Sequence, residues 1–108
     1  MITLVCFHGW GGSRESWTEL TAALRGTDVH VLAPDLPGFG TEPEPVKAWT
    51  NDDYALWAET YISKNVVKDS RLWIIGHSHG GRISMKLALR KNILIEQLFL
   101  CAPAGIRH

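Results

Sequence analysis

The chain has 108 residues, 45% of them hydrophobic and 20% charged, and its eleven basic side chains balance eleven acidic ones. This length suits one folded domain over residues 1–108, and the even charge excludes a global field drawing the chain to nucleic acid or an anionic membrane surface. No apolar run approaches the ~20 residues of a membrane helix, and the opening lacks the basic leader and cleavage site of a signal peptide, so the chain reads as cytoplasmic.

ITLVCF, residues 2–7, is a short β-rich run that gives the first strand, and the loop HGWGGS follows it. From 14 to 25, Trp17, Leu20 and Leu24 recur at helical spacing, and the stripe stops at Gly26. VHVLA, residues 29–33, is the second strand. It opens into PDLPGFGTEPEPVKAWTN, which holds four of the five prolines and reads as irregular. Asn51 or Asp52 caps the next helix, in which Tyr54, Trp57, Ala58, Tyr61 and Ile62 share one face. RLWII is the third strand, a helix runs from Gly80 to about Lys91, and QLFLCA is the fourth strand. Strands alternating with helices of this length give βαβ units, a parallel sheet and an α/β fold. Cys6 and Cys101 lie in separate strand runs without metal-ligand spacing and read as structural thiols.

Open parallel sheets place their ligands beyond the carboxyl ends of the strands. Here those ends carry HGWGGS, PDLPGFG, GHSHGG and APAGI, so glycine and proline collect along one edge of the sheet. Gly76-His77-Ser78-His79-Gly80 satisfies G-x-S-x-G, between an apolar strand and a helix, the setting a nucleophile on a sharp strand-to-helix turn requires. Side chains at Gly76 or Gly80 would crowd that turn, and Gly81 lets the helix approach the sheet. The N–H of His79 then lies where a helix N-terminus favours an oxyanion. The N–H of Trp10, among Gly9, Gly11 and Gly12, offers the second donor of an oxyanion hole.

Taken in order, His8-Gly9-Trp10-Gly11-Gly12, Asp35-Leu36-Pro37-Gly38-Phe39-Gly40 and Gly76-His77-Ser78-His79-Gly80-Gly81 resemble the landmarks of the α/β-hydrolase superfamily. HGWGGSRESWTEL and DLPGFG are similar to its esterase and acyl-hydrolase branch, which includes the pimeloyl-carrier-protein methyl ester esterases. The resemblance implies a parallel sheet in the order second, first, third, fourth strand. It also implies Ser78 as nucleophile, the N–H groups of Trp10 and His79 as oxyanion hole, and His8 and Gly9 as supporting turn. The substrate implied is a small-molecule ester or related acyl compound, processed through an acyl-enzyme. No metal or organic cofactor is implied. One departure is Thr41-Glu42 where the family's loop usually continues x-Ser.

Other readings stand beside this one. Ser78 could satisfy a turn, His8 reads as orienting its own loop, and His77 as packing beside the strand. Arg82, Lys86, Arg90 and Lys91 read as a solvated basic side, and Asp35 as a turn-former. A nucleotide-binding reading fails because Arg14 stands where G-x-G-x-x-G needs its third glycine. A non-catalytic binding module on the same fold stays open. In the superfamily the acid and then the histidine follow the serine; residues 79–108 hold no Asp, and Glu96 and the chain-end His108 are poor candidates. The sequence therefore resembles an amino-terminal part of such a domain, without its later strands, cap segment and triad acid and base. The outer strands, VHVLA and LFLCA, are expected to present open apolar edges.

Overall fold

Four runs of β-branched and apolar residues become parallel strands in the computed structural model, which describes residues 1–9, 11–39 and 49–101. They are Ile2–Phe7 (β1), Val29–Leu32 (β2), Arg71–His77 (β3) and Gln97–Cys101 (β4), paired in the order β2-β1-β3-β4. The expected order and fold class hold. β1 lies between β2 and β3, with Leu4 facing Val31 on one side and Trp73 on the other. Both faces of β1 are covered, as a parallel sheet requires. Val5 and Phe7 enter one core with Leu36, Tyr54, Ala58, Ile62, Ile74, Ile83 and Leu87. Leu4 and Cys6 enter the other with Trp17, flanked by Leu20 and Leu24.

The helices are Thr18–Ala23 (α1), Asn51–Asn65 (α2) and His79–Arg90 (α3). α1 is shorter than its apolar stripe, because Arg14–Trp17 form a 3-10 turn capped by the Ser13 hydroxyl, which accepts from the Glu15 N–H. Thr50 caps α2, in place of the expected Asn51 or Asp52. Its hydroxyl accepts from the Asp53 N–H while the Asp53 carboxylate accepts from the Thr50 N–H, a reciprocal pair that neither alternative forms. α2 buries Tyr54, Ala55, Ala58 and Ile62, while Trp57 and Tyr61 stack on each other half-buried. The basic side of α3 is only partly solvated: Lys86 pairs with Asp52 at 3.3 Å and Arg90 with Glu59 at 2.6 Å, joining α3 to α2.

At the amino ends of β3 and β4, Glu96 accepts from Arg71 and from the Trp73 indole. This carboxylate is thus committed at the edge of the sheet opposite Ser78. β4 is an outer strand with Phe99 41% and Leu100 39% exposed, one on each face, which fits the expected apolar edge. Cys6 and Cys101 are free thiols on strands separated by β3; Cys6 is buried as expected, Cys101 only partly. Among the described residues, no helix is long and apolar enough to cross a membrane.

Candidate active site

β3 passes into α3 through one residue, Ser78. Its backbone lies at φ 55° and ψ −114°, a region where an L side chain is strained. The peptide is held from both sides. The Ser78 N–H donates to the Cys101 carbonyl at 3.1 Å, and the N–H groups of Gly81 and Arg82 donate to the Ser78 carbonyl at 2.9 and 3.2 Å. The hydroxyl makes no hydrogen bond among the described residues and does not cap α3. Strain, half-exposure and an uncommitted hydroxyl therefore coincide on one serine.

Two glycines make the turn possible. A Cβ at Gly76 would meet the Ser84 hydroxyl oxygen at 2.5 Å and the Gly80 carbonyl carbon at 2.7 Å. One at Gly80 would meet the Phe7 carbonyl carbon at 2.5 Å and the His8 oxygen at 2.7 Å. Gly80 thus makes a close approach of helix to sheet. Gly81 is buried in the first turn and closes it through its N–H. Gly9 belongs to the same arrangement, since a Cβ there would lie 2.8 Å from His77 Nδ1 and 3.2 Å from Ser78 Cβ. The loop after β1 therefore runs against the serine turn.

That loop is tied to the loop after β2. His8 is fully buried; its Nδ1–H donates to the Gly9 carbonyl at 2.8 Å and its Nε2 accepts the Leu36 N–H at 2.9 Å. With both nitrogens engaged, His8 orients loops rather than moving protons. Burial holds its pKa below the ordinary value, opposed by the Gly9 carbonyl and by the charge of Asp35. Asp35 accepts from the Arg14 N–H at 2.6 Å and pairs with the Arg14 guanidinium at 3.6 Å. It is more than a turn-former: it anchors the far end of the glycine loop. Trp10, the other expected oxyanion donor, lies outside the described residues, as do Gly40, Thr41, Glu42, the APAGI segment and His108.

His79 begins α3, where the leading N–H groups of a helix have no acceptor within it. Its imidazole is buried against the Tyr54 ring at 5.0 Å and 90°, with Phe39 at 6.4 Å. Burial lowers its pKa, and the charges of Arg82 and His8 lower it further. His77, the last residue of β3, is exposed, contrary to the packed position expected. It lines a 230 Å³ hollow with Ser16, Trp17 and Cys101, on the sheet face away from Tyr54. The role of Tyr54 was not legible in the sequence beyond its place on the buried face of α2. Its hydroxyl donates to the Pro37 carbonyl at 3.0 Å.

The chain as a whole is similar to known proteins. A family model described as the alpha/beta hydrolase fold matches residues 2–107. The 2-succinyl-6-hydroxy-2,4-cyclohexadiene-1-carboxylate synthase of Enterobacter sp. (strain 638) is 37% identical over 82 residues, covering 76% of this chain and 30% of that protein. Lipase 1 of Psychrobacter immobilis is 30% identical over 106 residues, covering 94% and 32% respectively. The structure of MenH from S. aureus superposes with a TM-score of 0.83 at 26% identity, covering 98% of this chain and 40% of that one. The chain thus spans about a third of the length of such relatives.

Proposed function

Because this chain belongs to the alpha/beta hydrolase fold family, we propose that Ser78 is the nucleophile of a hydrolase acting on an ester or related acyl substrate. The observation that carries the reading is the backbone of Ser78 at φ 55° and ψ −114° between β3 and α3. A strained residue persists where its surroundings over-determine it, and such strain gathers at functional sites. A relative named as a lipase supports the hydrolase reading, and the ester substrate is part of the proposal.

In this proposal the Ser78 Oγ attacks the acyl carbon and its proton passes to a histidine base. The carbonyl π electrons move onto oxygen, and the N–H groups of His79 and Trp10 stabilise the oxyanion. Collapse expels the alcohol with a proton returned by the base, and water repeats the sequence to free the acid and Ser78. His8 is engaged by Gly9 and Leu36, and Glu96 by Arg71 and Trp73. Neither is free to serve Ser78, and in this proposal the acid–histidine pair is supplied from outside the described residues. A fluorophosphonate probe on the full chain is expected to label Ser78, and Ser78→Ala to abolish labelling; labelling at Ser13, Ser16 or Ser84 instead overturns the assignment. Trp10→Pro should cost about 2.7–4 kcal/mol of transition-state stabilisation, and Trp10→Phe, which keeps the N–H, much less.

A second reading is a binding module without turnover. It is favoured by the engagement of both His8 ring nitrogens and of Glu96, which leaves neither to activate Ser78. Under it, the full chain stays unlabelled by the probe while keeping its fold.

A further inference from the structure

We infer that Tyr54 is a positioning residue for the acyl site, clamping the residue after Ser78 to the loop after β2. The inference rests on the proposed role of the His79 N–H as an oxyanion donor.

Tyr54 reaches two elements at once from the first turn of α2. Its hydroxyl donates to the Pro37 carbonyl at 3.0 Å, and its ring meets the His79 imidazole perpendicularly at 5.0 Å. Only 5% of Tyr54 is exposed, so both contacts are made away from competing water. Leu36, next to Pro37, donates its N–H to His8, and His8 belongs to the loop that carries Trp10. A continuous set of contacts thus runs from the glycine loop, through His8, Leu36-Pro37 and Tyr54, to His79. His79, whose N–H is one of the proposed oxyanion donors, sits at its end. The backbone contact of Gly80 with Phe7 and His8 fixes the depth of α3 against the sheet. Tyr54 fixes the side chain that leaves the first turn of α3 and so resists rotation of that turn about the helix axis.

The chemistry needs such restraint. A hydrogen-bond donor stabilises an oxyanion only when aimed at the position the oxygen takes in the transition state. Displacement by about 1 Å can cost on the order of 10²-fold in rate. Loss of the clamp should therefore lower turnover and leave ground-state binding alone.

Two variants separate the contacts. Tyr54→Phe removes the bond to Pro37 and keeps the ring; Tyr54→Leu removes the ring as well. On the full chain with a p-nitrophenyl ester, Tyr54→Phe is expected to lower kcat about tenfold with KM within about twofold. Thermal melting should show the variant folded, and probe labelling should still fall on Ser78. By heteronuclear NMR, Tyr54→Leu should shift the His79 ring resonances and raise the His79 pKa as water reaches the imidazole, while Tyr54→Phe leaves them near wild type. Unchanged kcat in Tyr54→Phe overturns the inference. If the wild-type chain is inert to the ester and to the probe, it is the Ser78 reading that fails. The clamp is then judged by NMR alone, and an unmoved His79 ring in Tyr54→Leu overturns it.

Discussion

Gly80→Ala places one methyl group against closely approaching backbone at the end of β1. The new Cβ would lie 2.5 Å from the Phe7 carbonyl carbon and 2.7 Å from the His8 oxygen, and closer still to the Phe7 oxygen. Phe7 ends β1, an inner strand paired with both β2 and β3, and His8 follows it fully buried, so neither can readily retreat. α3 must therefore move out by about 1 Å, and overpacking of this kind costs about 1–3 kcal/mol. For a domain of this size each kcal/mol lowers Tm by about 4–8 °C. The same movement carries the His79 N–H away from its place, so probe labelling of Ser78 should slow by on the order of 10²-fold. Gly26→Ala is the control. Nothing lies within 4 Å of its Cβ position, so only the strain of φ +83° remains, costing about 1–2 kcal/mol and leaving Ser78 labelling unchanged. Differential scanning fluorimetry and labelling kinetics on the two variants test the reasoning. A Gly80→Ala protein that melts within about 1 °C of wild type and labels at the wild-type rate would refute it.

Ser78→Gly should be more stable than Ser78→Ala by roughly 1–2 kcal/mol in urea denaturation, since glycine relieves the strain that alanine keeps; equal stabilities would show that Ser78 is unstrained. Cys6 and Cys101 are separated by β3, so their backbones lie about 9–10 Å apart where a disulfide needs Cα atoms within ~7 Å. Burial pushes the Cys6 thiol up to about 12, so Ellman's reagent should consume Cys101 in the folded protein and Cys6 only after denaturation; a native disulfide contradicts the strand order. Burial holds His8 and His79 below the ordinary histidine pKa of 6.5, so the unfolded chain binds their protons more tightly. Stability is then complete above pH 6.5 and is lost as the pH falls through the folded values. A Tm unchanged between about pH 7 and pH 5 would count against it.

Sequence periodicity was enough to read the strands and the edge that gathers the loops, because these depend on local alternation and on the rules of parallel crossovers; the strand order came from the family resemblance. The serine turn was legible for the same reason: Gly76, Ser78 and Gly80 sit within five residues of one another. What escaped is long-range. Nothing in PDLPG says that Asp35 accepts from the Arg14 N–H or that Pro37 accepts from Tyr54, because each partner is set by packing between distant segments. The cap of α2 was misplaced by one residue because Thr50, Asn51 and Asp52 are all acceptable caps, and only the reciprocal bond with Asp53 singles out Thr50. The length of α1 was likewise overstated by the stripe of Trp17, Leu20 and Leu24, because Arg14–Trp17 form a 3-10 turn instead.

The bond from the Ser78 N–H to the Cys101 carbonyl makes the serine turn depend on an outer strand. Outer strands open by local fraying at a fraction of the free energy of global unfolding. Whenever β4 peels away, Ser78 loses one of the restraints on its left-handed backbone and is free to relax into an ordinary conformation. Chemical competence and foldedness are therefore separable properties of this molecule. On warming, amide exchange at Ser78 should accelerate with that of β4, well before the amides of β1 become accessible, and the site should fall silent while the core is still intact.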